Sequence, residues 1–405
     1  MSRPMHRLAT IFRERAPIDI GTTSLTAFRR QALPRHNASV IAHPIYETLP
    51  ISAEDAALAG SDFQRVGFVW PREIKRGNEF IDEYGVRWLE LDGNLAPFDH
   101  PLEHAGWETL NRHPLPKLPK QIQFPDPSSQ APTILDPPCP GLLDTCFMLR
   151  NGWQFMLDLT ENFRVANALL DWALETVTEA YFAALDALPQ APDIIAYGDD
   201  LGFESGMYLS DLDFRTFIFP RLQTLFSRIR KRTNALICFH SCGAISSIID
   251  DICDLGVDML NLDFYAKNVV LEDVRRKLPG EVILHAPVNL TAIGRAAVSD
   301  NRTSLAFLAS DVAKAVPCIN GPIDNLSTPE EAADAMRGVA FVQALSNDDL
   351  KQLRDYGPVK SIIQKAVSVA RQIEVPSLSG DGIPFGELLL SGRTGSSPTG
   401  RPMLH

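Results

Sequence analysis

From about residue 160 the apolar positions follow two periods in turn. Residues 162–188 carry Val165, Ala166, Leu169, Leu170, Trp172 and Ala173 at helical spacing, which predicts a long amphipathic helix. The short apolar run 194–197 reads as a strand and ends in Gly198, Asp199 and Asp200. Residues 211–233 predict a helix interrupted at Pro220 and closing on the basic run 228–232. The run 236–239 is the next strand, ending in His240, Ser241, Cys242 and Gly243. The alternation then continues: helix at about 245–254, strand 259–262, helix 270–277, strand 282–285, helix at about 302–314. A short strand near 316–317 leads to Cys318, and helices follow at 329–345 and 358–371.

Upstream the pattern is less regular. Residues 80–91 have the aromatic and β-branched content of a hairpin or strand pair, and 113–139 is a proline-rich stretch expected to run extended across a surface. The first fifteen residues read as a helix, and the Gly/Ser/Pro-rich tail from Ser391 as disordered. Buried strands alternating with amphipathic helices mean a parallel sheet, either a closed eight-stranded barrel or an open doubly wound sheet. An open nucleotide-binding sheet would show GxGxxG or GxxxxGK[ST] after its first strand, and neither string occurs. Polar residues instead follow several different strands: Asp199 and Asp200, His240 and Cys242, Asp263, Asn289 and Cys318. That is how the C-terminal mouth of a barrel is furnished. The expectation is an α/β chain with a TIM-type (β/α)8 barrel over 136–390, an irregular N-terminal α/β segment over 1–135 packed on or completing it, and a tail over 391–405.

Composition narrows the function classes. The chain has 405 residues, is 45% hydrophobic and carries a formal net charge of −12, so nucleic acid and anionic membranes are disfavoured partners. No apolar run is long enough to span a bilayer and no signal-peptide pattern opens the chain, which points to the cytoplasm. The six cysteines (139, 146, 238, 242, 253 and 318) are then expected to be reduced, and most to be small buried residues.

His240 and Cys242 change that picture. Two positions apart on an extended segment, their side chains point the same way, and Gly243 lets the chain turn sharply just beyond them. Imidazole and thiolate are zinc donors, and a third from the end of another strand would complete a catalytic site with a position left for substrate. Cys318, 78 residues after His240, is such a donor if the barrel brings the strand ends together. A lone His-x-Cys is also an ordinary pair of core residues. Other features are open in the same way. The basic run 228–232 is either a docking patch or a solvated helix C-terminus, and His100 and His104 have metal-like spacing inside an irregular loop.

Several segments, in order, resemble one family. Ile194 to Gly202 (IIAYGDDLG) is similar to the GDDLG strand end of the uroporphyrinogen decarboxylase superfamily, and SDLDFRTFIFPRL from Ser210 resembles the helix that follows it. FHSCGAI from Phe239 resembles the HSCG zinc motif of its corrinoid-dependent methyltransferase branch, DEYGVRW from Asp82 the DEWGxxW segment, and APIDIGTT from Ala16 the N-terminal xPVDxGGT. The resemblance runs to about residue 345.

It implies a barrel whose zinc is held by His240, Cys242 and Cys318. A methyl group then passes between a thiol or methylated small molecule and a corrinoid carried on a partner protein, since the cobalt-ligand string DxHxxG is absent here. Zinc keeps a bound thiol deprotonated, and the thiolate is the nucleophile. Asp199 or Asp200 would complete the metal shell, orient substrate or hold His240; a helix N-cap is the structural alternative. The chain departs from the family where GNVDP becomes Ala286 to Leu290 (APVNL) and where the third cysteine lacks its glycine-rich context. Two other readings compete. One is a porphyrinogen decarboxylase, whose MRQAGR segment is only echoed by Arg29 to Leu33 and whose chemistry leaves HSCG unexplained. The other is a non-catalytic zinc-bearing barrel.

Overall fold

The structure is a computed structural model and describes residues 38–39, 64–68, 74–76, 79–91, 94–119, 122–123, 132–280, 282–315, 318–320 and 329–372. The helix expected over the first fifteen residues, the APIDIGTT segment, the strand near 316–317 and the tail from Ser391 lie outside them.

The parallel strands are β1 (Ala38–Ser39), β2 (Gln64–Phe68), β3 (Thr133–Leu135), β4 (Ile194–Gly198), β5 (Leu236–Ser241), β6 (Met259–Leu262), β7 (Ile283–His285) and β8 (Cys318–Asn320). Strands β2 to β8 lie side by side in chain order as a seven-strand parallel half-barrel, and the two-residue β1 adds in parallel to the free side of β8. Ile122–Gln123 pairs antiparallel with the outer side of β2. Strands β1 to β3 come from the segment before residue 136. β3 lies inside the proline-rich stretch, where only three buried residues carry it.

Both faces of a parallel sheet are covered, so its strands are apolar throughout; β4 and β5 are buried at every position. One face packs against the outer helices through Ile195, Tyr197, Ile237, Phe239, Leu260 and Leu284. The alternate residues, Ala196, Cys238, His240, Asn261 and His285, line the other face, which is the concave interior.

The helices are α1 (Leu142–Arg150), α2 (Gly152–Glu161), α3 (Phe163–Ala187), α4 (Phe219–Arg232), α5 (Ile249–Asp254), α6 (Leu271–Lys277), α7 (Leu290–Val298), α8 (Arg302–Ala315), α9 (Pro329–Gln343), α10 (Asn347–Tyr356) and α11 (Lys360–Arg371). The long amphipathic segment is α3, as its periodicity requires. Pro220 does not break the chain. Its missing N–H is absorbed by a π turn over Phe214–Ile218, in which the Phe219 N–H reaches back to the Phe214 carbonyl, and α4 continues with Pro220 in its first turn. The arginines at the basic end of α4 pair with carboxylates on neighbouring elements. Arg228 pairs with Glu175 at 2.8 Å, Arg230 with Asp258 at 3.1 Å, and Arg232 with Asp186.

Glu79–Ile81 and Arg87–Leu91 form the expected hairpin within a four-stranded antiparallel sheet completed by Ile74–Arg76 and Asn94–Asp99. Asp82 closes its turn, accepting from the Tyr84 and Val86 N–H groups at 2.9 Å and from the Trp88 indole at 2.7 Å, while Gly85 takes φ +82°. The stretch that follows is tied to the half-barrel by Arg150. Its guanidinium pairs with Asp158 at 2.7 Å, both groups being buried, and donates to the Leu102 and Ala105 carbonyls.

Candidate metal centre

The C-terminal ends of β4 and β5 are joined before any side chain is considered, because the Asp199 N–H donates to the His240 carbonyl at 3.1 Å. Just beyond, the Leu201 N–H donates to Ser241 Oγ at 3.0 Å and the Cys242 N–H to Asp200 Oδ1 at 3.1 Å. The two motifs are locked by backbone contact as well. Gly243, at φ +84°, lies so close to Gly202 that a Cβ there would stand 2.2 Å from the Gly202 carbonyl carbon. The glycines ending GDDLG and HSCG are therefore one packing device.

This close approach gathers three donors. Ligand atoms of Asp200, His240 and Cys242 all lie within 4.8 Å of one another. Cys242 Sγ is 3.4 Å and Asp200 Oδ1 3.7 Å from His240 Nε2. His240 and Asp200 are buried and Cys242 partly so. One nitrogen, one sulfur and one oxygen at this spacing form a donor set that suits zinc.

Asn261, on β6 beside His240, fixes which imidazole nitrogen is offered. Its Nδ2 donates to the His285 carbonyl at 2.9 Å, which turns Oδ1 toward His240 Nδ1 at 2.5 Å. An amide oxygen only accepts, so Nδ1 carries the proton and the Nε2 lone pair points at Cys242 and Asp200. His285 follows in the same layer. Burial, with His240 close by, pushes its imidazole down to about 3, so it is neutral near pH 7.

Of the five residues singled out in the sequence, the structure brings three together and places two elsewhere. Asp199 lies behind the centre and holds the start of α1. Its carboxylate accepts from the Leu143 and Asp144 N–H groups at 3.0 Å and from the Tyr197 hydroxyl at 2.8 Å. Gly141 permits this, since a Cβ there would meet Asp199 Cγ at 2.4 Å. Burial pushes the Asp199 carboxyl up to about 6 against those hydrogen bonds. Asp199 is thus a helix cap donated from another strand, the structural alternative for this pair.

Cys318 belongs to the opposite face of the sheet. The register Phe239–Leu260–Leu284–Cys318 runs along the face packed against helices, whereas His240 is level with Asn261, His285 and Ile319. Cys318 is buried in the apolar cluster with Phe239 and Leu284, and that burial pushes its thiol up to about 12. Cys318 is thus outside the group of neighbouring ligand atoms, which the structure makes of Asp200, His240 and Cys242. His100 and His104 are likewise outside the group, with His100 Nδ1 set against the Met148 carbonyl at 2.6 Å.

Two neighbours of the centre were not visible in the sequence. Asp144, on α1, accepts from the Asp200 N–H at 3.2 Å, and burial together with the charges of Asp200 and Asp199 holds its carboxyl well above the usual range. Tyr208, just after the hairpin Gly202–Phe203/Gly206–Met207, lies close enough to Asp200, Asp144 and Cys242 for burial and their charges to raise its phenol further. Neither falls in a motif, and only the folded chain brings α1 and the hairpin to the ends of β4 and β5.

Comparison with known proteins agrees with this architecture. Residues 147–286, which contain all three donors but not Cys318, match the family model described as uroporphyrinogen decarboxylase (URO-D). The methylcobamide:CoM methyltransferase MtaA of Methanosarcina barkeri is 31% identical over 96 residues, 24% of this chain and 26% of that protein, so the match spans about a quarter of the relative's length. The solved structure of a methyltransferase from Methanosarcina mazei superposes with a TM-score of 0.51 over 78% of this chain and 96% of that one, at 16% identity, and so shares its fold. On these matches, the chain is similar to the uroporphyrinogen decarboxylase family over residues 147–286 and, over part of its length and in fold, to methyltransferases.

Proposed function

We propose that this chain is a zinc-dependent methyltransferase that exchanges a methyl group between a corrinoid on a partner protein and a thiol or methylated small molecule. The observation that carries the reading is the convergence of Asp200, His240 and Cys242 at the end of a parallel sheet, with the imidazole tautomer set by Asn261. In this reading β1 meets the part of β2 that Ile122–Gln123 leaves uncovered and closes the half-barrel into a (β/α)8 barrel, with the three donors at its C-terminal mouth.

His240 Nε2, Cys242 Sγ and an Asp200 oxygen would hold the ion. Bound there, zinc supplies Lewis acidity that keeps a substrate thiol deprotonated near neutral pH. The chain's own residues do the rest. Asn261 keeps Nδ1 protonated and Nε2 free, Asp199 and Asp144 anchor the Asp200 backbone and α1 beneath it, and the packed Gly202–Gly243 contact fixes the separation of the two donor-bearing loops. The same reading places the protein in the cytoplasm; among the described residues no helix is long and apolar enough to cross a membrane.

The family model's own description favours a second reading, decarboxylation of a porphyrinogen. That reading leaves the three donors without a task. The test is zinc content together with methyl exchange on free cobalamin. The purified wild-type chain is expected to hold about one zinc and to exchange methyl with a thiol, and Cys242→Ala to lose both. A metal-free chain that is folded and active would end the first reading. Loss of carboxylate groups from uroporphyrinogen would establish the second.

A further inference from the structure

The segments that follow β4, β5 and β6 wall an open cavity of about 490 Å³, whose lining holds none of the three donors. Ser205 and Asp211 come from the first segment, Ser246 and Ser247 from the second, Lys267 and Asn268 from the third. Parallel sheets bind small molecules beyond the carboxyl ends of their strands, and the volume suits one. The three segments are fixed to one another. The Lys267 N–H donates to the Glu204 carbonyl at 2.7 Å, and Ser246 Oγ to the Asn268 carbonyl at 2.8 Å. Asn268 is held there at φ +65°, and residues kept in the left-handed region concentrate at ligand-binding loops. Asp211 is the one carboxylate of the lining, oriented by Ser247 Oγ, which donates to its Oδ1 at 2.7 Å. Lys267 is its one cation. The Lys267 ammonium, the Asn268 amide and the Ser205 hydroxyl belong to exposed residues and take no hydrogen bond or ion pair among the described residues. A second ammonium, that of Lys277, donates to the Ser246 carbonyl at 2.9 Å and adds positive potential from behind the wall.

We infer that this cavity is a binding site for a small hydroxylated carboxylate. Lys267, Asn268 and Ser205 donate to its carboxylate, while Asp211 and the Ser246 oxygen accept from its hydroxyls. One ammonium and two neutral donors match the single charge and two oxygens of a carboxylate. A phosphate dianion calls for further cations or a nest of main-chain N–H groups, which this lining does not offer. The site uses none of the three donors, so it stands whether or not they hold a metal.

The experiment is calorimetric titration of metal-free, full-length protein with gluconate at constant ionic strength. Sorbitol, its neutral counterpart, and inorganic phosphate are titrated alongside. Wild type is expected to bind gluconate saturably at one site and to bind sorbitol and phosphate more weakly. Lys267→Met should weaken gluconate by about tenfold or more, the loss of a charge-assisted hydrogen bond. Lys231→Met makes the same change of net charge on the exposed end of α4 and should leave gluconate binding as in wild type. Both replaced side chains are exposed, so circular dichroism should show the fold retained in each. Absence of saturable heat with gluconate overturns the inference, as does equal affinity in wild type and Lys267→Met. An equal loss in Lys231→Met overturns it too, because the attraction is then one of net charge. Sorbitol binding as tightly as gluconate removes the carboxylate from the reading, and phosphate binding more tightly replaces it with a phosphate site; either result defeats the assignment. Zinc content plays no part in these titrations, so their failure is told apart from failure of the metal centre.

Discussion

At the scale of single residues, the centre separates ligands from near neighbours by the face each side chain occupies. Cys242 and Cys318 are the same residue type, but Cys242 follows the C-terminal end of β5 whereas Cys318 opens β8, and the register sets Cys318 level with Leu284, one position away from the His240 layer. A one-residue offset moves a side chain to the other face of a sheet. The closeness of His240 and Cys242 was legible because its period is internal to one segment, whereas the position of Cys318 was not, because its face depends on a register that spacing does not encode. Cys318→Ala is therefore expected to keep full zinc content and lose only about 1 kcal/mol of stability as a small cavity, whereas Asp200→Ala should shed zinc on dialysis. Metal analysis of the two variants side by side decides between the ligand sets. Asn261→Leu removes no ligand but frees the imidazole to rotate and change tautomer. Its zinc affinity should fall about 10–100-fold, read by competition with a chromogenic chelator.

At the scale of elements, most of what the periodicity predicted is present. α3 and the strands β4 to β6 stand out because long or fully apolar runs announce themselves. α7 was passed over because Pro287 precedes it and Gly294 interrupts a run of small residues. That glycine is there for packing. A Cβ on Gly294 would stand 1.9 Å from the Asp334 carbonyl oxygen on α9, and one on Gly338 2.0 Å from the Leu290 carbonyl oxygen on α7. Each helix thus uses a glycine to receive the other's backbone. Alanine would gain about 1 kcal/mol in helix propensity but would force the backbones apart, an overpacking penalty of about 1–3 kcal/mol or more. With backbone atoms as the obstacle the second effect wins. Gly294→Ala and Gly338→Ala should each lower the urea midpoint, and a raised midpoint in either would show that the crossing is looser than described. Gly243→Ala faces the same obstacle with a positive φ added, and should cost zinc as well as stability, because the contact it breaks sets the distance from Asp200 to Cys242.

At the scale of the whole molecule, the parallel sheet was legible from the alternation of strand and helix, and the strands lying before residue 136 were not. β3 has three residues inside a proline-rich run, and β2 precedes a stretch with no helical period, so neither has a length from which periodicity can be read. Their membership is decided by pairing partners far along the chain. The same architecture determines what metal does for the fold. Asp200, His240 and Cys242 sit just past strands already paired on both sides and backed by a core that includes Tyr197, Phe226 and Phe239. In small zinc domains the ion supplies the folding energy itself; here the sheet and its helices bury that core without it. Removal of zinc with a chelator should therefore leave the far-ultraviolet circular dichroism and a cooperative melt intact. Saturating zinc at about 100–1,000 times its Kd stabilises by about 3–4 kcal/mol, which for a chain of this size is roughly 3–5 °C in Tm. Differential scanning calorimetry with and without zinc measures that shift. Loss of the cooperative transition on chelation would mean that the centre organises the sheet, and that the ends of β4 and β5 are held together by the ion and not by the Asp199–His240 and Gly202–Gly243 contacts.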